Sequence, residues 1–353
     1  MTKKIALLPI LGSLMLFGVG CISFSSDGTS PNSDGGIFKS ANRGDDWTQK
    51  VAVPATGGEQ KTISGVNIAT IVQDPQDPNA VYIGTTESGL FYSYDGGDSW
   101  QRPTQISTGR VASIAVHPKD KCTVYATSGN RLLKTEDCSR TWNVTYFDTR
   151  TDRQTTAVLV DFFNPDNVWV STDGGDVLVS TDAGRSWVNS TTLKSAVREM
   201  LMVTSDSRRV YVATKSNGIY RTDDAGANWK ELSKGYTDFS GAIEFSDMSI
   251  GVSDPAVIVM ASRYGLIRSR DYGDTWESID LLTPPRSTNI YSVALDSKDV
   301  NGIYYGTSTT FYRSPNGGVN WIPTKLPTSR TATVLLVDSV NSNVLYMGVT
   351  KIK

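Results

Sequence analysis

Arginine can hold a carboxylate or phosphate through two parallel hydrogen bonds from its planar guanidinium. In this chain it recurs at a nearly fixed distance from another residue. Arg110, Arg153, Arg198, Arg286 and Arg330 lie 10, 11, 11, 10 and 9 residues after a tryptophan. That spacing predicts one structural position repeated around the molecule, and so a ring of cations that Lys215 and Arg263 could join from neighbouring loops. Such a ring could take an anionic ligand or partner. Equally, each arginine could pair with a nearby acid or cap a loop carbonyl. Other chemistry is thin. His117 is the only histidine and, followed by Pro118, reads as a turn residue rather than a base or ligand. No His/Cys cluster has zinc spacing, and no glycine-rich loop runs from a strand into a helix to cradle phosphate. Neither a metal nor a cofactor is expected. Asp161 and Asp173 are acids near strands that could belong to a carboxylate pair, but the sequence alone does not pick such a pair.

The tryptophans that set this spacing close seven copies of one motif, Ser/Thr-x-Asp/Asn-x-Gly-x-x-Trp. They are Trp47, Trp100, Trp142, Trp187, Trp229, Trp276 and Trp321, at intervals of 53, 42, 45, 42, 47 and 45 residues by subtraction. The acid or amide position holds Asn42, Asp95, Asp137, Asp182, Asp224, Asp271 and Asn316. In a tight turn this side chain accepts hydrogen bonds from backbone amides further on, and the glycine two places later supplies a positive φ at low cost. Copy three departs, with Ser139 where glycine is usual. A period near 45 with strand-like sequence between copies is the signature of a repeat architecture.

These residues resemble the Asp-box, or BNR, repeat of sialidases, xyloglucanases, sortilin-type receptors and photosystem II assembly factors. The resemblance covers nearly all of residues 36–350 and implies that the Asp-box residues are structural and remote from the active face. The photosystem II assembly factors are similar in being exported seven-bladed propellers with an arginine-rich patch. Sialidases carry an Arg-Ile-Pro type motif near the start of the fold, which is absent here. Xyloglucanases set catalytic aspartates across a cleft between two propellers, and only one propeller fits this length.

Between copies the pattern is four short strands, A to D, as in a propeller blade. Apolar runs for strand A fall at 69–72, 113–116, 156–161, 200–203, 243–245, 291–295 and 333–337. Tyr82, Tyr125, Tyr211, Tyr304 and Tyr346 recur in strand B; Trp169 stands in their place once and reads as core packing. The first motif lacks preceding A and B strands, whereas the chain ends on an A and a B strand. Joining the two halves closes the ring and removes open sheet edges. The expected fold is all-β: a single seven-bladed β-propeller of four-stranded antiparallel blades over 36–353. In a propeller the D–A and B–C connections share one face, so the arginines should ring one mouth of the central channel.

Lys3 and Lys4 precede an apolar stretch to Val19, which reads as a secretory leader over 1–20. Gly20-Cys21 resembles a lipobox, with Cys21 as the lipidated residue and 21–35 as a flexible tether, although Gly18 departs from the usual leucine. The expected location is the outer side of a bacterial cytoplasmic membrane or the cell surface, with membrane contact only through the lipid anchor. Strand register places Cys122 nearly opposite Cys138, within disulfide range. The net charge of −2 supplies no bulk field for nucleic acid. The function expected is therefore a monomeric, non-catalytic scaffold that engages a protein or acidic glycan of the cell envelope. The alternative is a glycan-active hydrolase or carbohydrate-binding propeller, to be recognised by two carboxylates facing each other inside the rim.

Overall fold

The structure, a computed structural model, describes residues 34–54 and 61–352. The leader, Cys21 and nearly all of the tether lie outside those residues. Seven sheets follow one another as blades. Blade 1 has strands A to C at Ile68–Gln73, Val81–Thr85 and Leu90–Ser93. Blade 2 runs Ile114–Val116, Val124–Ser128, Arg131–Thr135 and Asn143–Phe147. Blade 3 runs Thr155–Val160, Val168–Thr172, Asp176–Ser180 and Val188–Thr192. Blade 4 is Val197–Val203, Asp206–Thr214, Ile219–Thr222 and Lys230–Glu231. Blade 5 is Phe245–Ile250, Ile258–Ser262, Leu266–Ser269 and Glu277–Ile279. Blade 6 is Ser292–Leu295, Ile303–Gly306, Thr310–Ser314 and Ile322–Lys325.

Blade 7 is built from both ends of the propeller. Its strands A and B, Thr331–Val337 and Leu345–Thr350, pair with strand C at Gly36–Ser40, which in turn pairs with Thr48–Lys50. Phe38 sits opposite Met347, so the ring closes by antiparallel pairing. Blade 1 is the irregular one, its fourth strand reduced to a bridge between Tyr92 and Gln101. A small hairpin of Ala52–Val53 and Lys61–Thr62 lies between blades 7 and 1, a feature with no counterpart in the repeat pattern.

Burial explains the residue patterns. Val81–Thr85 and Val168–Thr172 are buried at every position, because strand B is covered by a neighbouring blade on each face. Their sequences accordingly carry apolar residues at consecutive positions, Val81-Tyr82-Ile83 and Val168-Trp169-Val170, rather than in alternation. Strand D forms the outer rim and is largely exposed, as in Asn143–Phe147. The described residues form seven apolar clusters, each bridging one pair of adjacent blades; Tyr211 and Ile219 of blade 4, for example, pack with Met260 and Trp276 of blade 5.

The Asp-box turns share one geometry. In each, the residue after the Asp or Asn and the residue after that both have positive φ, as in Gly96 and Gly97 (69° and 86°) or Ala183 and Gly184 (58° and 92°). In blade 1, Ser93 Oγ donates to Asp95 Oδ1 (2.7 Å) and accepts from Gly97 N–H (2.8 Å), while Ser99 N–H donates to Asp95 Oδ1 (2.8 Å). The first of the two positive-φ residues is the node of the fold. Its N–H donates to the A–B turn of its own blade, as Gly96 does to Asn79 and Ala183 to Asp166 (both 2.8 Å). In six of the seven blades its carbonyl accepts from the preceding blade: from Lys39 at Gly96, Tyr94 at Cys138, Tyr125 at Ala183, Arg221 at Tyr272, Arg268 at Gly317 and Arg313 at Arg43. In blade 2 this node is Cys138. Its N–H donates to Cys122 O (3.2 Å), and the two residues are also joined by a disulfide.

Two of the A strands differ from the sequence expectation by three residues or more, the others by one or two. Strand A of blade 4 begins at Val197 rather than 200, and that of blade 5 spans Phe245–Ile250 rather than 243–245. Ala242 closes a turn on Phe239 and Glu244 one on Gly241, which holds the segment before Phe245 out of the sheet. Strand A of blade 5 thereby includes the polar residues Ser246, Asp247 and Ser249.

Candidate functional site

The face opposite the Asp-box turns is assembled from D–A and B–C connections that hydrogen-bond to one another. Val111 N–H donates to Thr85 O, Asp173 N–H to Gln154 O, Lys215 N–H to Ala196 O and Arg286 N–H to Tyr264 O, all at 2.9 Å. Strands A of adjacent blades pack against each other and line the channel beneath this face.

The seven basic residues occupy different environments on it. Arg198 is not in a connection but within strand A of blade 4, at a bulge where the register shifts between Val197 and Glu199. A bulge re-aims the side chain it carries. Arg110 is exposed; partial loss of hydration, with Arg198 near it, draws its guanidinium below the ordinary arginine pKa. Among the described residues neither Arg110 nor Arg198 has a hydrogen bond or ion pair from its side chain. Lys215 and Arg286 are exposed, Arg286 at a positive φ of 66°. Arg263 donates to Asn289 Oδ1 (2.6 Å). Arg153 lies against Gly174, 3.9 Å from Asp152.

Arg330 departs from the rim reading. It is 5% exposed and donates to the carbonyls of Gly65 and Val66 and to Asn67 Oδ1. Asp34 adds a carboxylate 3.5 Å from its Nε. Arg330 therefore ties the last connection to the segments that enter blades 7 and 1, and it is not available at the surface.

The acids singled out in sequence do not pair. Asp161 accepts from the Phe163 and Asn164 amides in an A–B turn, whereas Asp173 accepts from Gln154 N–H at the other end of strand B. His117 Nδ1 accepts from Lys119 N–H, also within a turn. No group of three or more potential metal ligands occurs among the described residues.

Sequence reasoning missed Glu199 and Asp247. They face each other across strands A of blades 4 and 5, on the channel wall. Asp247 Oδ1 accepts from Met248 N–H (3.0 Å) and Oδ2 from Val293 N–H of blade 6 (2.7 Å). Burial and Asp247 push the Glu199 carboxyl well above the usual range; burial likewise pushes Asp247 up, to about 7. Two carboxyls in hydrogen-bond contact without a cation hold a proton between them. The signal is an acid in each of two channel-lining strands, but the apolar runs at 200–203 and 243–245 lie beside these acids rather than over them.

The family model described as "Photosynthesis system II assembly factor YCF48" matches residues 29–205 and 130–249. A xyloglucanase of Hypocrea jecorina (strain QM6a) is 25% identical over 280 residues, covering 74% of this chain and 31% of that protein. Among solved structures, the GH74 xyloglucanase from Xanthomonas campestris superposes with a TM-score of 0.67 at 16% identity, over 81% of this chain and 51% of that one. A structure described as YCF48 bound to D1 peptide gives 0.63 at 15% identity, over 85% and 96%. The chain thus spans about half or less of the xyloglucanases it matches, and nearly the whole of the YCF48 chain. At these identities the solved structures establish the fold.

Proposed function

This chain belongs to the photosynthesis system II assembly factor YCF48 family, and on that premise we propose that it is a non-catalytic binding scaffold. It is exported, held to the membrane through a lipid on Cys21, and engages an acidic segment of a protein partner at the arginine-bearing mouth. The observation that carries this reading is Arg110, exposed on this face with Arg198 near it, neither guanidinium having an acid of its own. Such a pair is stabilised by an anion that bridges it, and a carboxylate can accept from each. The YCF48 relative described with a bound D1 peptide supports a protein rather than a small-molecule ligand.

The decisive comparison is wild type against Arg110→Glu/Arg198→Glu, with binding measured to captured membrane proteins, to acidic peptides and to a polyuronate. A loss of tenfold or more in peptide affinity at unchanged melting temperature supports the reading. Equal peptide binding by both proteins sinks it, and retention of the polyuronate alone shifts the ligand to an acidic glycan. The second reading, a glycan-active hydrolase, draws on the xyloglucanase relatives and on the two facing carboxyls Glu199 and Asp247. Their contact counts against it, because glycosidases hold their acids about 5–9.5 Å apart to flank the scissile bond. Xyloglucan turnover abolished by Glu199→Gln would restore it.

A further inference from the structure

A groove opens at blade 5 between two connections of the arginine-bearing face. One wall is the B–C loop at Tyr264 and Gly265; the other is the D–A connection from Asp280 through Leu281, Leu282 and Pro284 to Pro285. It encloses about 360 Å³, at the lower end of the range in which proteins seat ligands, about 300–1,000 Å³. Leu282 is 58% exposed, and Pro284 and Pro285 are exposed beside it. Gly265 faces Leu281 across the gap: an added Cβ would lie 3.4 Å from Leu281 Cδ1, so a side chain there would occupy the space between the walls.

Each wall also carries a cation. Arg263 directly precedes Tyr264, Arg286 directly follows Pro285, and Arg286 N–H donates to Tyr264 O (2.9 Å), which ties the two walls together beside the cations. Both guanidiniums are exposed. Arg263 donates to Asn289 Oδ1 (2.6 Å), and neither arginine has a carboxylate partner among the described residues. Arg286 holds a left-handed backbone, φ 66°, which residues other than glycine seldom adopt. Glycine would meet that geometry with less strain, so what the position gains from arginine is its side chain. Asp280, exposed at the other end of the connection, is the acid of the lining and turns a second carboxylate away from that end.

We propose that this groove seats an apolar side chain of a peptide partner, while Arg263 and Arg286 take the carboxylate of an acidic residue next to it. The inference rests on reading this face as a protein-binding one, and it adds a contact on blade 5 separate from Arg110. Covering Leu282 and the two prolines removes apolar surface from water, and guanidiniums hold a carboxylate by paired, charge-assisted hydrogen bonds. A sugar fits less well. Tyr264 is the sole aromatic of the lining, and its ring already packs on Phe239 at 5.1 Å.

The test is selection from a random peptide display library on the full chain. One selected peptide is then titrated against wild type, Leu282→Ser, Arg263→Gln/Arg286→Gln and Arg110→Glu/Arg198→Glu, with a xyloglucan oligosaccharide and a polyuronate alongside. Expected is enrichment of peptides that set a large apolar residue one or two positions from an acid. Affinity should fall fivefold or more in Leu282→Ser and tenfold or more in Arg263→Gln/Arg286→Gln, at unchanged melting temperature. Failure to enrich such peptides, or binding indifferent to both groove variants, overturns the proposal. Loss in Arg110→Glu/Arg198→Glu alone overturns it too, and leaves the mouth as the binding site. Loss in the groove variants alone supports it and moves the partner from the mouth to blade 5. Saccharide binding that the groove variants abolish, without peptide binding, overturns it in favour of a glycan.

Discussion

Arg330 and Arg198 occupy the same place in the sequence rhythm and opposite places in the energetics. The guanidinium of Arg330 is committed to two carbonyls, an amide oxygen and a carboxylate, all within a buried seam. Removing it leaves the Gly65 and Val66 carbonyls without their donor and Asp34 without its counter-charge, the kind of loss that costs most. Arg330→Ala should therefore lower stability by about 2–3 kcal/mol. Arg198→Ala removes no such partner and should stay within about 0.5 kcal/mol of wild type. Urea unfolding of the two variants decides it. Equal stability would mean that Arg330 is free to serve the rim after all. The interval from tryptophan to arginine counts residues along the chain, but burial depends on what else reaches the connection. Here that is the 34–36 segment, close in space to Arg330 and nearly 300 residues away in sequence.

At the scale of the strand and turn, the repeat was legible because each blade obeys the same local physics. The Asp-box needs a serine or threonine, a side-chain acceptor and two left-handed residues; the motif itself writes all but the first left-handed residue, which is arginine, cysteine, alanine or tyrosine in five copies. The four-strand rhythm and the joining of strands from both ends follow from apolar runs spaced by turns. What escaped were features set by neighbours: the pairing of Ala52–Val53 with Lys61–Thr62, the missing strand D of blade 1, and the start of strand A in blades 4 and 5. That last error hid Glu199 and Asp247. A channel-lining strand can carry acids without breaking its pairing, so hydropathy alone marks only part of it. The disulfide belongs to this scale too. In blade 2 it doubles the bond that every node makes to its own A–B turn, here Cys138 N–H to Cys122 O. Closing a loop with a sequence separation of 16 stabilises by about 3 kcal/mol in the chain-entropy view. The Cys122→Ser/Cys138→Ser variant keeps the backbone bond, so it should lose about that amount and remain folded. Denaturation with and without reductant measures the loss, and a wild type indifferent to reductant would refute it.

For the ring as a whole, stability is bounded in pH by two sets of acids that pull in opposite directions. The Asp-box carboxylates sit on the outer turns; hydrogen bonds from the Thr141 hydroxyl and amide hold Asp137 down to about 2, below its ordinary 3.8. A depressed pKa contributes stability above about 3.8 that is lost as pH falls through about 2. The channel pair works the other way. Raised folded values mean that stability is fully present below the unfolded pKa near 4 and declines as pH rises through about 7 for Asp247. The melting temperature should accordingly peak between the two limbs and fall toward neutrality. Because both oxygens of Asp247 already accept backbone N–H groups, the proton they share belongs on Glu199. Glu199→Gln removes one of the two raised groups, so the decline between pH 4 and 8 should become shallower in that variant, with the part set by burial of Asp247 remaining, while the acid limb is unchanged. A slope identical to wild type would show that the pair does not govern the ring, and the neutral-pH loss would have to arise elsewhere.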